Sequence, residues 1–252
     1  MIKDNYFIDK MNPFLKIIIL IIITLIGSLD FMPFASTVLI VSGFIIASLF
    51  SSLSFKELAN SVKTFIIMSV GFMTVISITR LLSQQDLQLL TVIGLGFRII
   101  LISVYSSIFV KTTDPSEFVM VLIKYFKISA RFGYAFLTAY RFLPTFKQEM
   151  EIIKHAHQVR GVSESKNPLV KIWESQRYII PMMATAVRKG IRISMAMETR
   201  AFGKSETRTY YRKVIMNRKE IIISAMYIIY IMAIVLLLYF NGLTKFNLIY
   251  VD

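Results

Sequence analysis

Five long apolar blocks set the pattern of the chain. Residues 17–29 are free of charge, and Asn12-Pro13 ahead of them reads as a helix N-cap with proline at the first helical position. A helix from residue 13 is then long enough for a span, which takes roughly 20 apolar residues. Lys16 would snorkel to the interface. A turn follows at Asp30-Phe31-Met32-Pro33. Residues 34–55 form a second uncharged run. The third run, 64–79, lies between Lys63 and Arg80. The fourth, 87–110, is interrupted by Arg98, and the fifth is 221–240. The first block has no small-x-small end and further spans come straight after it, so it reads as a span and not as a secretory signal.

Between the fourth and fifth blocks the pattern changes. Asp114-Pro115-Ser116-Glu117 predicts a capped helix start, with the helix running to about Tyr125. A long helix begins near Ser129. Phe132, Phe136, Tyr140 and Leu143 recur at three- and four-residue spacing and make one apolar stripe. Arg131, Arg141 and Pro144 bound that stripe, so it is expected to lie at the membrane surface. Pro144 should kink the helix. Glu151 should pair with Lys147 and Lys154 along one helix face. Gly161 suits the left-handed C-cap and should end the helix. After a polar connector at 163–168, a second long helix is predicted over 169–202, with a kink at Pro181 and Gly203 as its stop. Met183, Val187, Gly190, Ile191, Ser194 and Met197 keep one of its faces small and apolar, while Arg188, Lys189, Arg192 and Glu198 are polar.

The expected fold is therefore an all-α integral membrane protein of about five transmembrane helices with a helical region outside the bilayer. Residues 1–110 are the membrane domain with four spans, 111–220 the cytoplasmic or interfacial region, and 221–252 the closing helix and tail.

Composition and charge sharpen this picture. Of 252 residues 56% are hydrophobic, with a mean hydropathy of +0.64, which excludes disorder and disfavours an ordinary soluble enzyme. With no cysteine there is no disulfide framework or zinc-thiolate site. The net charge is +14, and residues 111–220 hold 21 basic against nine acidic residues. If the N-terminus is cytoplasmic, 26 of the 29 Lys and Arg fall on the cytoplasmic side, as the positive-inside rule requires. Part of this charge sets topology and binds lipid headgroups. Nucleic acid is not expected as a partner, since no recognised nucleic-acid module is present.

The two long predicted helices finish alike, with Arg just inside the end and then Gly. The segments are Gln158-Val159-Arg160-Gly161 and Glu198-Thr199-Arg200-Ala201-Phe202-Gly203. A basic side chain at a helix C-terminus complements the dipole, worth about 0.3–1 kcal/mol, and for either Arg alone that is the simpler reading. The repetition, 40 residues apart, points further. Two guanidinium forks at two helix tips suit bidentate docking onto carboxylates of a soluble partner.

These features resemble the transmembrane T component of energy-coupling factor (ECF) transporters, the family that includes the analogous subunit of cobalt importers. The resemblance rests on Asn12-Pro13 with Lys16, on Thr112-Thr113-Asp114-Pro115 with Glu117, on Arg141-Phe142-Leu143-Pro144, and on the two Arg motifs, and it covers nearly the whole chain. It implies two long crossing coupling helices, each ending in an Ala-Arg-Gly-like motif. It implies that Arg160 with Gly161 docks on one cytoplasmic ATP-binding cassette ATPase, and Arg200 with Ala201 and Gly203 on another. Here Val159 replaces the first Ala, and Thr199 and Ala201 replace the Ala and Gly around Arg200. It further implies a substrate-capture membrane protein as partner, importing a vitamin or a transition-metal ion across the bacterial cytoplasmic membrane. That partner would meet the face carrying Met183, Val187, Ile191 and Met197. No cofactor is expected in this chain, since ATP would be bound by the partner subunits.

Other chemistry in the sequence is weaker. Gly203-Lys204-Ser205 looks like the tail of a phosphate-binding loop, but the position five before Gly203 is Glu198 and no strand precedes it. His155 and His157 point about 200° apart on a helix, cannot share a metal, and are expected to be solvated. No acidic or Ser/His/Asp cluster suggests an enzyme. Arg98, inside a span, marks a functional site by default; the plainer expectation is packing against the chain's own cytoplasmic helices. Two alternatives differ in kind: a conventional importer permease with its own substrate path, and a membrane enzyme acting on lipid headgroups.

Overall fold

The computed structural model describes residues 6–30, 32–84, 86, 88–161, 170, 174, 176–202 and 216–242. Every regular element among them is an α-helix: α1 (Phe7–Lys10), α2 (Pro13–Leu29), α3 (Pro33–Phe50), α4 (Phe55–Leu82), α5 (Leu89–Thr112), α6 (Pro115–Tyr125), α7 (Ala130–Val159), α8 (Gln176–Thr199) and α9 (Arg218–Phe240). The chain divides into two compact units, one of residues 1–121 with 214–252, the other of residues 122–213.

In the first unit, α3, α4, α5 and α9 are long and apolar enough to cross a membrane. Helix α2 is one turn shorter than a full span at 17 residues. Its start is as the sequence predicts: the Asn12 side chain accepts from Phe14 N at 2.9 Å, with Pro13 at the first position. The second and third blocks divide earlier than expected. Helix α3 ends at Phe50 because Ser51 turns its hydroxyl back onto Ala47 O at 2.7 Å, and Ser52 N donates to Asp9 Oδ2 at 3.1 Å. A capping box between Ser54 and Glu57 then opens α4 at Phe55. Apolar residues alone could not show this break, since two serine side chains make it.

Helix α5 is central to this unit and packs on α2, α3 and α4. The core joins Ile23, Leu39, Val62, Leu101, Val104, Tyr105 and Ile231. Helices α4 and α5 approach closely at Gly96. A Cβ there would lie 1.6 Å from Met73 Cε, and Ser69 Oγ donates to Gly96 O at 2.8 Å. Small residues that let backbones come together are the usual means of joining helices in lipid, where apolar surface gains little by burial. Most of α4 is left exposed and apolar, as a lipid-facing helix should be.

Two lysine and arginine expectations are corrected here. Lys16 does not snorkel: it is buried, and Nζ donates to Thr112 O at 2.7 Å and Thr112 Oγ1 at 3.3 Å, closing the C-terminus of α5. A cation on those unpaired carbonyls satisfies both ends without reaching water. Arg98, expected to pack on the chain's own cytoplasmic helices, has its described hydrogen bond within the membrane unit instead. Its Nη2 donates to Asp30 O at 2.9 Å, at the C-cap of α2. Both cations thus sit on helix C-termini within the membrane unit.

The second unit contains α7 and α8, which pack on each other. Ser129 caps α7, accepting from Phe132 N, as the sequence predicts. Pro144 and Pro181 both lie inside helices.

Candidate functional site

The end of α7 forms as glycine at the C-cap dictates. Arg160 is the cap residue, its N–H reaching Ala156 O, and Gly161 takes φ of +81° while donating to Gln158 O at 3.0 Å. The end of α8 departs from expectation. The helix stops at Thr199, before Gly203, and the left-handed residue is Ala201 with φ of +53°. Ala201 N donates to Glu198 O and Phe202 N to Met197 O, each at 2.9 Å. That is the full Schellman pair of bonds, with Arg200 at the cap and a β-carbon where glycine is usual. The Phe202 ring supports it, packing edge-on against Tyr134 of α7 at 5.4 Å. Two backbone bonds and a ring contact offset the left-handed cost of alanine, about 1 kcal/mol. Gly203 lies outside the described residues, as do residues 204 and 205 and the connector at 163–168.

Arg160 and Arg200 therefore occupy equivalent positions, each the cap residue of a long helix and each followed by a left-handed residue. Both are exposed, as are Gly161 and Ala201. Among the described residues neither guanidinium has a hydrogen-bond or ion-pair partner.

Side-chain contacts fix how α7 and α8 run. Tyr134, early in α7, meets Phe202 at the end of α8. Glu149, in the middle of α7, forms an ion pair with Lys189 in the middle of α8. His157 and Lys154, late in α7, meet the ring of Tyr178 early in α8, at 5.5 and 5.7 Å. The two helices are antiparallel, so the two Arg tips lie at opposite ends of the pair. From Tyr134 to Arg160, at 1.5 Å per residue, that separation is up to about 39 Å.

Several smaller expectations change. Among the described residues Glu151 is exposed and no ion pair joins it to Lys147 or Lys154, while Glu149 pairs with Lys189 across to α8. His157 is not simply solvated: its ring packs on buried Tyr178, while His155 is exposed. The stripe of Phe132, Phe136, Tyr140 and Leu143 is exposed along its length. On α8, Met183, Val187 and Ile191 are exposed and Met197 is half-buried, which leaves most of that apolar face uncovered by the chain. The described residues contain no group of three or more His, Asp or Glu able to hold a metal ion.

The Glu149–Lys189 pair and the Tyr178 contacts were not readable from sequence, since each joins residues from two helices whose relative register only packing sets. The one available signal was an acidic residue on α7 without a partner at three or four residues.

Against known proteins, the family model described as cobalt transport protein (CbiQ) matches residues 7–211, a range that holds both Arg tips. The energy-coupling factor transporter transmembrane protein EcfT of Streptococcus thermophilus is 31% identical over 151 residues, covering 57% of this chain and 56% of that one. The EcfT of Limosilactobacillus fermentum is 29% identical over 140 residues, 52% of each chain. A putative ABC transporter ATP-binding protein of Bifidobacterium longum is 27% identical over 148 residues, which are 56% of this chain and 19% of its own. The chain spans about half the length of the EcfT relatives it matches.

Proposed function

Because the chain belongs to the cobalt transport protein (CbiQ) family, we propose that it is the membrane coupling subunit of an ATP-driven, ECF-type importer. It is a transporter component and a multi-pass membrane protein. The observation that carries the finer reading is the matched pair of exposed cap arginines at opposite ends of an antiparallel helix pair.

In this reading Arg160 with Gly161 docks on one ATP-binding cassette ATPase, and Arg200 with Ala201 on a second. A guanidinium fork at a helix end can reach carboxylates bidentately, and the backbone bonds of the two helix ends fix where each Arg leaves its helix. Two tips set far apart suit two separate partner subunits, and ATP is bound by them. That a protein named for ATP binding carries a segment similar to this one, within a far longer chain, supports the partnership. When the ATPases close on ATP, the tips are drawn together and α7 and α8 act as levers. The uncovered face of α8, with Met183, Val187, Ile191 and Met197, is then the natural seat for a capture protein that delivers a vitamin or a metal ion. Residues 111–220 and the N-terminus are cytoplasmic in this arrangement, in the bacterial cell membrane, as the excess of Lys and Arg favours.

The test is the double variant Arg160→Ala/Arg200→Ala, expressed with its ATPases. Membrane insertion is expected to stay normal, with copurification of the ATPases and ATP-dependent uptake both lost. If the double variant still binds the ATPases and transports, the docking assignment is wrong.

A further inference from the structure

A cavity of about 490 Å³ lies inside the membrane unit, between α1, α2, α3, α5 and α9. Its walls are almost wholly apolar, with Ile19, Leu20, Ile46 and Ile108 among them. That is a volume typical of ligand pockets, which run about 300–1,000 Å³. It starts at α1, next to the start of α2, and its lining on α5 runs from Thr112 inward to Tyr105. Seven residues of helix make that about 10 Å of depth, or a third of a hydrocarbon core about 30 Å thick.

The polar side chains on its wall are already engaged. Lys16 donates to Thr112, and Thr112 Oγ1 donates to Ile108 O. Ser224 donates to Glu220 O. Tyr105 donates to Leu39 O at 3.0 Å, so its oxygen is left to accept from Tyr227 at 2.6 Å. A polar ligand would find few donors here, and a water would lack the two to four partners that hold one in a cavity. An apolar chain fits. Phe50, Ile223 and Met226, which also line the cavity, are exposed, so it reaches the outer surface of the bundle where lipid lies.

We propose that this cavity holds one acyl chain of a phospholipid from the leaflet on the side of the N-terminus, entering past Phe50, Ile223 and Met226 and ending at the Tyr105–Tyr227 pair. In a bilayer that leaflet is the nearest supply of unbranched apolar chains, and the cavity sits at its depth. The bound chain fills the space between α9 and the α2–α3–α5 core, so α9 is held partly through lipid. This proposal does not depend on the docking role of the arginines.

The full chain in vesicles of phosphatidylglycerol and phosphatidylcholine, with a trace of phospholipid bearing a photoactivatable acyl tail, gives the test. Adducts are mapped by peptide mass spectrometry. Labelling is expected on Tyr105 or Ile108, saturating with added lipid, as well as on the lipid-facing Ile67 and Met68 of α4. Ile46→Trp should lower the α5 label by about tenfold, the loss expected when two buried methylenes are pushed out, and leave the α4 label unchanged. Ile223→Trp, made at an exposed position and so harmless to folding, should act alike at the entrance. Absence of α5 adducts overturns the proposal. So does α5 labelling that survives Ile223→Trp, or an apolar molecule other than phospholipid extracted in equal amount with the purified chain.

Discussion

The membrane unit and the α7–α8 pair are built on opposite principles. In the first, α5 is surrounded, and buried polar groups such as Lys16, Ser69 and Tyr105 each reach a backbone carbonyl on another helix. In the second, the Glu149–Lys189 ion pair and a few aromatic contacts are among those that join the two helices, and most described side chains stay exposed. A helix that must be fixed in lipid has its polar groups satisfied inside the protein, because no water is at hand. In the second unit the contacts suffice to keep the register of the helix pair, and on the proposed function its uncovered faces are left for partners. The difference teaches where stability sits: one unit is held by its interior, while the other leaves its two helix ends and one face of α8 uncovered.

Substitutions can break this contrast, and they rank by expected size. Leu101→Ala removes a side chain with 0% exposure that fills the space against Gly27. It should destabilise the membrane unit by about 3 kcal/mol, read as a fall in thermal unfolding temperature in detergent. Tyr105→Phe keeps the ring but leaves Leu39 O and the Tyr227 hydroxyl with one partner fewer. Its cost should be about 1–2 kcal/mol by the same measurement.

Effects in the second unit should be smaller and should show in geometry. Glu149→Lys sets two cations face to face at the middle of the helix pair. Spin labels near Arg160 and Arg200 should then report a broader distance distribution, at a cost of about 1 kcal/mol. The swap Glu149→Lys/Lys189→Glu should narrow it again. If the swap does not restore the distribution, the pair does not set the register.

The smallest effect runs the other way. Ala201→Gly places glycine where φ is +53° and should stabilise the α8 end by about 0.5–1 kcal/mol, read by hydrogen exchange at the Ala201 and Phe202 amides. Its failure would mean that the Phe202–Tyr134 contact, and not the backbone bonds, fixes that end.

Much of this was legible in the chain. Five apolar blocks gave the helical membrane class because length and hydropathy act locally. Asn12-Pro13, Ser129 and Gly161 marked helix ends because capping is a matter of neighbouring atoms. Arg160 and Arg200 were legible as a pair for the same reason.

What the chain could not tell was settled by contacts between distant residues. Lys16 looked like a snorkelling lysine until Thr112, 96 positions on, came within 2.7 Å. The α8 end looked like Gly203, but the helix stops at Thr199, with Ala201 left-handed and Phe202 packed on Tyr134. The antiparallel course of α7 and α8 follows from Tyr134 meeting Phe202 and His157 meeting Tyr178, and no periodicity predicts it. Local rules decide where a helix begins and which residues cap it. Only packing decides which carbonyl a buried cation reaches, because that choice depends on side chains brought together by the fold.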